Sequence, residues 1–166
     1  MLSNQEVAEA LLEKFGDQVF DFEEPYGLLT LSTSREEIIP ILDFLHNHKV
    51  YQFIFLTDIT GIHYPDAKDQ EFMVVYHMHS FAHNFRVRIK VSLAEADIHI
   101  PTATGLFACA NWMERETYDF FGIMFDGHPN LRRILNIEEM DYFPMRREFP
   151  MEDATREDKT DALFGR

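Results

Sequence analysis

The chain has 166 residues, 46% of them hydrophobic, and a formal net charge of −14 at neutral pH. This length suits one domain with a sizeable core, and the acidic balance argues against nucleic acid or an anionic lipid surface as the main partner. The single cysteine, Cys109, excludes an internal disulfide and an iron–sulfur cluster held by this chain alone, since such clusters need several thiolates. We also expect no membrane span and no secretory signal, because neither a long apolar run nor a basic, then apolar, N-terminus is visible.

The N-terminal residues predict a helix followed by a β-hairpin. Ser3 and Glu6 have the spacing of a capping box, and Gly16 follows the last apolar residue of the helical pattern. Two short strands are predicted over 18–22 and 28–32, with a Pro-Tyr-Gly turn between them.

A second helix is predicted from a cap formed by Ser34 and Glu37 through about His46. Pro40 is unfavourable inside a helix, because it removes one hydrogen bond and clashes with the preceding turn. The sequence therefore leaves two alternatives: a kinked helix, or a helix whose regular part starts near Pro40.

Three further strands are predicted over 50–60, 72–79 and 85–91, with a loop over 61–70. In the last of them apolar residues alternate with Arg86, Arg88 and Lys90, which is typical of a half-buried strand with a basic outer face. The order of elements is α-β-β-α-β-β-β-α. We interpret it as a two-layer α/β (α+β) fold, with one mixed or antiparallel sheet covered by helices on one face.

The last predicted helix carries an unusual polar face. Asn111 and Glu114 suggest a capping box, and Gly122 is well placed to end the helix in a left-handed conformation. Asp119 lies in the last turn, where the helix dipole disfavours an anion, and Arg115 precedes it in the less favourable order for an ion pair. A carboxylate placed against both rules suggests a partner outside the helix. The residues predicted to share its face are Trp112, Arg115, Glu116 and Asp119.

Residues 123–150 have no helical or strand period although they are apolar and aromatic, and residues 151–166 are polar and charged. A long segment of this kind is unusual inside a compact domain. We therefore predict a core domain over 1–122 and an extended arm and tail over 123–166 that packs on a partner subunit. The alternative is an ordinary loop folded back on its own sheet.

Arginine replaces lysine in this part of the chain. Residues 91–155 contain no lysine but five arginines, a preference that indicates planar, bidentate pairing with carboxylates at buried or interface positions. The five are Arg115, Arg132, Arg133, Arg146 and Arg147.

Two kinds of chemistry compete with this structural interpretation. His77 and His79 share one face of a strand, but no further ligand has a convincing spacing, so a metal site is not predicted. Glu116, Asp119 and His128 could form an acid/base site in a free-standing enzyme. That alternative lacks a nucleophile, and the His128-Pro129 step is more simply a rigid turn that aims Arg132 and Arg133.

The sequence ERETYDFFGI at 114–123, followed by FDGHPNLRRIL at 125–135, resembles the signature of the 30-kDa subunit of respiratory complex I, the bacterial NADH–quinone oxidoreductase. Further similarity lies in LTDIT at 56–60, VVYHM at 74–78 and RVRIKV at 86–91. One departure is the stretch NIEEMDYFPM at 136–145, which lacks a second Gly-His-Pro and leaves the path of this loop open.

The resemblance implies a peripheral-arm subunit of the proton-translocating complex, on the cytoplasmic side of the bacterial inner membrane. It implies no catalytic, cofactor or metal residues in this chain, while the complex as a whole holds FMN, iron–sulfur clusters and quinone. The implied partners are the 49-kDa-type quinone-site subunit and neighbouring iron–sulfur subunits. The equivalent subunit of a membrane-bound hydrogenase or ferredoxin-linked complex is the alternative.

Carried over by motif, the expected interface and signature residues are Trp112, Glu114, Arg115, Glu116, Tyr118, Asp119, Gly122, Gly127, His128, Pro129, Arg132, Arg133, Arg146 and Arg147. Among them, six charged residues are expected to form ion pairs within or between subunits: Glu114, Arg115, Glu116, Asp119, Arg132 and Arg133.

Overall fold

A computed structural model describes residues 2–149 of the chain. It contains three helices, one five-stranded sheet and a separate pair of short strands. In chain order the elements are α1 (Asn4–Phe15), β1 (Val19–Glu23), β2 (Leu29–Thr33), α2 (Ile38–Asn47), β3 (Phe55–His63), β4 (Phe72–Ser80), β5 (Phe85–Leu93), β6 (His99–Pro101), α3 (Ala110–Phe121) and β7 (Met124–Asp126).

The large sheet has the strand order β1-β2-β5-β4-β3. Only β2 and β5 pair in parallel, and the three other pairs are antiparallel. The sheet is therefore mixed, which is one of the two arrangements that the sequence predicted. The short strands β6 and β7, which the sequence did not predict, pair in parallel beside it.

The first two helices begin for different reasons. The capping box at α1 is present, with both the Ser3 and Glu6 side chains bonded to backbone amides, and Gly16 ends the helix. The predicted cap of α2 is wrong: no side chain caps this helix, and it begins at Ile38. This start places Pro40 in the first turn, where a missing N–H breaks no hydrogen bond. The second alternative for Pro40 is thus confirmed.

The predicted strand over 50–60 is wrong at its start, since β3 begins at Phe55. The preceding residues turn back on α2 instead: the Phe53 amide donates to the Leu45 carbonyl, and Gln52 has a φ of 48°. Phe53 is fully buried in this turn. An apolar run alone does not distinguish a buried turn from a strand. The following loop is accordingly shifted, because β3 continues to His63.

The core lies on one face of the sheet. Alternate residues of β4 and β5, among them Tyr76 and Ile89, form one cluster with α1, α2 and the end of α3. The opposite face carries Arg88, Lys90 and His77, which are half-exposed. The helices therefore cover a single face, and the basic outer face predicted for β5 is confirmed.

Helix α3 covers the free edge of the sheet. The Thr117 hydroxyl donates to the Ile59 carbonyl, and the Cys109 thiol donates to the Leu56 carbonyl, both on the edge strand β3. Gly61 of β3 lets the helix approach, because a Cβ there would stand 2.7 Å from the Phe121 ring. Covering an edge in this way prevents its pairing with another chain.

Residues 123–149, named here the C-terminal segment, fold back on α3 and on the sheet of their own chain. Ile123 and Phe125 belong to the core, and the Arg147 amide donates to Nδ1 of His63 at 3.0 Å. Within the described residues the segment thus contacts its own chain, and whether it also forms an arm on a partner stays a prediction. The division at Gly122 and packing on a partner subunit stay predictions, and residues 150–166 lie outside the described residues.

Among the helices of residues 2–149, none combines the length and the apolar character needed to cross a membrane.

Candidate functional site

The signature helix α3 starts without the predicted capping box. Its N-cap is Cys109, which makes no side-chain capping bond, and Asn111 lies inside the first turn. Glu114 does not return to the helix start, because its carboxylate is bound elsewhere. The C-terminal prediction is confirmed, since Gly122 caps the helix in the left-handed conformation with a φ of 77°.

Glu114 is fully buried and bonded to the loop before the helix. Its carboxylate accepts hydrogen bonds from the Thr102 hydroxyl at 2.5 Å and from the Ala103 amide at 2.6 Å. No cation pairs with it among the described residues. Burial raises the pKa of Glu114 to about 7, against which these two hydrogen bonds act. The Tyr76 hydroxyl is also buried and has no hydrogen-bond partner within the described part of the chain.

Asp119 is fully buried as well, but unlike Glu114 it has a cation and several hydrogen-bond donors around it. One oxygen accepts from the Arg133 guanidinium at 2.9 Å and from the Asn136 side chain, and the other accepts from three consecutive backbone amides. Burial raises the pKa of Asp119, but the Asn136 and Leu135 amides, with Arg133 and the Asn136 side chain, hold that pKa below its usual range. The partner outside the helix that the sequence required is therefore the C-terminal segment.

The last four carbonyls of α3 are all satisfied by residues that follow the helix. Gly122 and Met145 donate through their backbone amides to Tyr118 and Phe120. Arg133 donates to the Asp119 carbonyl at 2.8 Å, and Arg146 donates to the Phe121 carbonyl at 2.7 Å. Such carbonyls have no partner inside the helix, and the dipole favours cations beside them. The C-terminal segment thus completes the helix end.

Two aromatic rings hold these arginines in place. The guanidinium carbons of Arg133 and Arg146 each lie 4.8 Å from the centre of the Phe143 ring, and Arg146 lies equally close to Phe72 of the sheet. Tyr118 packs against the Phe143 ring edge to face. Stacking on rings is a property of arginine that lysine does not share in the same degree.

Arg133 also fixes the loop whose path the sequence left open. Its second terminal nitrogen donates to the carbonyls of Met140 and Tyr142 at 2.9 and 2.8 Å. The 136–145 loop therefore bends around this one guanidinium. No Gly-His-Pro turn is needed for that path.

The Gly127-His128-Pro129 turn is held by the imidazole. Nδ1 of His128 accepts from the Asn130 amide at 3.0 Å, so Nε2 carries the proton and donates to the Asn111 carbonyl at 3.1 Å. Gly127 has a φ of 82°, which glycine adopts without strain. This geometry agrees with the predicted rigid turn.

The remaining predicted residues divide into buried and exposed groups. Arg115 is buried, lies 4.8 Å from the Trp112 ring and donates to the Arg132 carbonyl at 3.2 Å. The exposed residues are Trp112, Glu116, Gly127, Pro129, Arg132 and Arg147. Of the six residues expected in ion pairs, only Asp119 and Arg133 pair within the described residues. Pairs between subunits stay a prediction.

The geometry does not favour the acid/base alternative. Asp119 is saturated by donors, and both ring nitrogens of His128 are bound, so neither is free to exchange a proton with a substrate. Glu116 is exposed on the helix surface. A cleft of about 540 Å³ lies elsewhere, lined by Arg35, Asp97, His99 and Asp126 among others. Within residues 2–149, no three His, Cys, Asp or Glu side chains converge as metal ligands would.

Sequence reasoning missed Thr102, Asn136 and Phe143, which bind or shield the charged residues of α3. Thr102 precedes the helix by eight residues and Asn136 follows it by fifteen, so no local spacing pointed to either. Only the unfavourable position of Asp119 gave a signal that a distant partner was required.

The fold and the hydrogen bonds of α3 together define a class of protein. It is a two-layer α/β domain in which a buried charge on a helix fixes the C-terminal segment of the same chain. A family model described as the 30-kDa subunit of the respiratory-chain NADH dehydrogenase matches residues 31–155. The chain belongs to this family.

Relatives in the family include the C subunit of the NADH-quinone oxidoreductase of Citrifermentans bemidjiense. It is 40% identical over 157 residues, 95% of this chain and 96% of that protein. The second of two such C subunits from Rhizobium meliloti is 41% identical over 86% of this chain and 77% of its own length. These relatives confirm the main functional prediction, a peripheral-arm subunit of complex I, over the hydrogenase-type and free-enzyme alternatives.

Two solved structures share the fold. A trypsin-resistant fragment of Nqo5 is 34% identical, with a TM-score of 0.64 over 75% of this chain and 98% of that fragment. A chain of an archaeal respiratory membrane complex, the membrane-bound sulfane sulfur reductase, gives a TM-score of 0.74 over 89% of this chain and 85% of its own length. At 22% identity the second match supports the fold alone.

Proposed function

We propose that this chain is a non-catalytic, cofactor-free subunit of the NADH–quinone oxidoreductase, which supports assembly and holds the quinone-site subunit in shape. Support comes from the use of its charged residues: the two buried acids of α3 bind the chain's own backbone rather than face a cavity. The 166 residues contain one cysteine, which does not fit an iron–sulfur cluster. FMN, iron–sulfur clusters and quinone then belong to the other subunits of the complex.

The observation that carries this proposal is a group of exposed apolar side chains on a backbone that hydrogen bonds hold in place. Four residues of the C-terminal segment, Leu135, Ile137, Tyr142 and Met145, expose 40–68% of their surface. Yet the backbone of this segment is fixed by bonds to Asp119 and Arg133. Apolar side chains on an ordered backbone form a surface ready for a partner, since little entropy is lost on binding.

Trp112 adds a large aromatic to this exposed surface. It is 62% exposed on α3, one turn before Arg115, which ties the helix to Arg132 of the segment. Exposed tryptophan and arginine are enriched at the centres of protein interfaces. We propose that Trp112 and the C-terminal segment contact the 49-kDa-type quinone-site subunit, with iron–sulfur subunits nearby. The location would be the cytoplasmic side of the bacterial inner membrane.

The test compares two variants in the native complex. Asp119→Asn removes the charge that fixes the segment, whereas Glu13→Gln changes an exposed carboxylate on α1. We expect Asp119→Asn to lower the amount of assembled complex and NADH–quinone reductase activity in the same proportion. The spectra of the redox centres should not change, and Glu13→Gln should match the wild type.

A tagged chain is then purified from membranes in mild detergent, and its partners are identified. Recovery of the 49-kDa-type subunit with the wild type, and its loss with Asp119→Asn, supports the proposal. If the activity per assembled complex fell while assembly stayed normal, Asp119 would have a catalytic role and the structural proposal would be wrong.

A further inference from the structure

The sheet face opposite the helices, named here the open sheet face, is not covered by any helix of residues 2–149. Most residues of β4 and β5 on that face are exposed or half-exposed, and only Val75 and His79 are buried there. The exposed and half-exposed residues are Met73, His77, Arg86, Arg88, Lys90 and Ser92. An antiparallel or mixed sheet can leave one face in water, and the side chains on that face are then usually polar.

The centre of the open sheet face is basic, although the chain carries a net charge of −14. Arg86, Arg88 and Lys90 alternate along β5, and alternate residues of a strand are about 6.8 Å apart. A carboxylate stands at each side, with Glu23 of β1 3.5 Å from Lys90 and Asp58 of β3 3.9 Å from the His77 ring. Three cations in a row therefore outnumber the two acids at the edges.

The middle cation is held in place. Nε of Arg88 donates to Nε2 of His77 at 2.9 Å, so that nitrogen carries no proton. Burial and the Arg88 charge lower the pKa of His77, against the opposite effect of Asp58. The guanidinium is thus oriented by a neutral imidazole, which leaves its positive charge on the face uncancelled.

Aromatic side chains border this basic row. Phe20 of β1 is 45% exposed and lies in the cross-strand row of Lys90, and Phe55 of β3 is 43% exposed in the row of Arg86. Phe81 packs on Phe55 with ring centres 5.1 Å apart and is itself exposed. Cations flanked by exposed aromatics are typical of a binding surface rather than of a solvated one.

We propose that the open sheet face receives an amphipathic helix of a neighbouring polypeptide, with Asp or Glu at every fourth position and apolar residues beside them. Charge complementarity argues for an acidic occupant. Residues i, i+4 and i+8 of a helix are about 6.0 Å apart along its axis, close to the spacing of the three cations. The helix would add a third layer to the fold, remote from the C-terminal segment.

Other anionic occupants fit less well. Nucleic acid and anionic lipid would be repelled by the acidic remainder of the chain. The chain's own residues 150–166 contain five acids, but three cations are interleaved with them, which leaves little net charge for attraction. Each of these occupants is an outcome that the experiment distinguishes.

The first experiment places a photocrosslinking amino acid at Ser92, an exposed position next to Lys90 on the same face of β5. After irradiation of the intact complex, crosslinked peptides are sequenced by mass spectrometry. We expect one partner polypeptide, joined through a segment with acids spaced by three or four residues. Crosslinks to lipid or to residues 150–166, or none in the assembled complex, would overturn the proposal.

The second experiment reverses charge. Arg88→Glu with Lys90→Glu should lower retention of the crosslinked partner at least tenfold in a moderate-salt wash, and the milder Arg88→Gln with Lys90→Gln should lower it less. Lys14→Glu with Lys49→Glu is the matched control, since both lysines are exposed on the helix side and the net charge changes equally. Replacing the acids of the crosslinked helix with lysines should restore retention of the partner by the Glu variant. Equal loss in the control, or no rescue, would contradict the proposal.

Discussion

The two buried acids of α3 have pKa values shifted in opposite directions, upwards for Glu114 and downwards for Asp119, so their charged forms have opposite effects on stability. Glu114 accepts two hydrogen bonds and has no cation beside it among the described residues, so its pKa rises from 4.5 to about 7. The unfolded chain releases this proton at lower pH than the folded chain does. The stabilising contribution of Glu114 is therefore fully present below about pH 4.5 and is lost as the pH rises towards 7 and above.

The first prediction compares the unfolding free energy of Glu114→Gln with that of the wild type. The difference, in favour of the variant, should grow by about 2–3 kcal/mol when the pH is raised from 5 to 8. Glutamine can keep the bond from Ala103 and carries no charge to bury. Urea denaturation at both pH values measures the difference. Glu116→Gln is the control and should change nothing, because Glu116 is exposed. A pH-independent effect of Glu114→Gln would show that Glu114 is already charged in the folded chain.

The role of Arg133 depends on the planar, forked shape of its guanidinium. Its two terminal nitrogens donate to Asp119 on one side and to the carbonyls of Met140 and Tyr142 on the other. A lysine has the charge but cannot reach both sides at once. Arg133→Lys should therefore cost about 2 kcal/mol in unfolding free energy. Arg132→Lys, at the exposed neighbouring position, should cost nothing measurable by the same denaturation assay.

The junction of α3 with the C-terminal segment depends on Gly122. Its φ of 77° disfavours any side chain, and a Cβ would lie 2.6 Å from the Phe143 ring that both arginines stack on. Gly122→Ala should cost about 3 kcal/mol, roughly 1 from the backbone and the rest from moving Phe143.

Two other glycines separate these causes. Gly16 has a positive φ but open space around it, and Gly105 has open space without a positive φ. Gly16→Ala should therefore cost about 1 kcal/mol and Gly105→Ala almost nothing, as measured by thermal or urea unfolding. If Gly122→Ala were no worse than Gly16→Ala, the contact with Phe143 would not stabilise the segment.

Local rules predicted some features correctly but not the cap of α2, and features that depend on distant contacts were not predicted. The capping box at Ser3 and the left-handed Gly122 depend on neighbours in sequence, and both are present. The cap expected from Asn111 and Glu114 fails because a buried carboxylate binds Thr102 and Ala103 more favourably than its own helix start. A spacing rule cannot rank these two choices.

For the whole molecule, the sequence predicted the sheet and the helices on one face from periodicity, and the resemblance predicted the family. It did not predict where residues 123–149 lie, because no period exists in that segment. Its path depends on one carboxylate, Asp119, and two arginines, and the bonds that these make between α3 and the segment join residues 14 to 25 positions apart. Asp119 alone indicated, from its unfavourable place at the helix end, that such a partner exists.

Limited trypsin digestion would show whether the C-terminal segment opens separately from the domain. Trypsin can cleave after Arg132 and Arg133 in the segment and after Arg88 in the middle of the sheet. Proteases cleave chains that have opened locally, so the rate follows the free energy of that opening. Asp119→Asn weakens the bonds to three amides and leaves Arg133 without its charge partner, at an expected cost of about 3 kcal/mol. Cleavage after Arg132 and Arg133 should then increase at least tenfold while cleavage after Arg88 stays slow. That result would support the predicted boundary at Gly122, whereas a parallel increase at Arg88 would mean that segment and domain unfold as one unit.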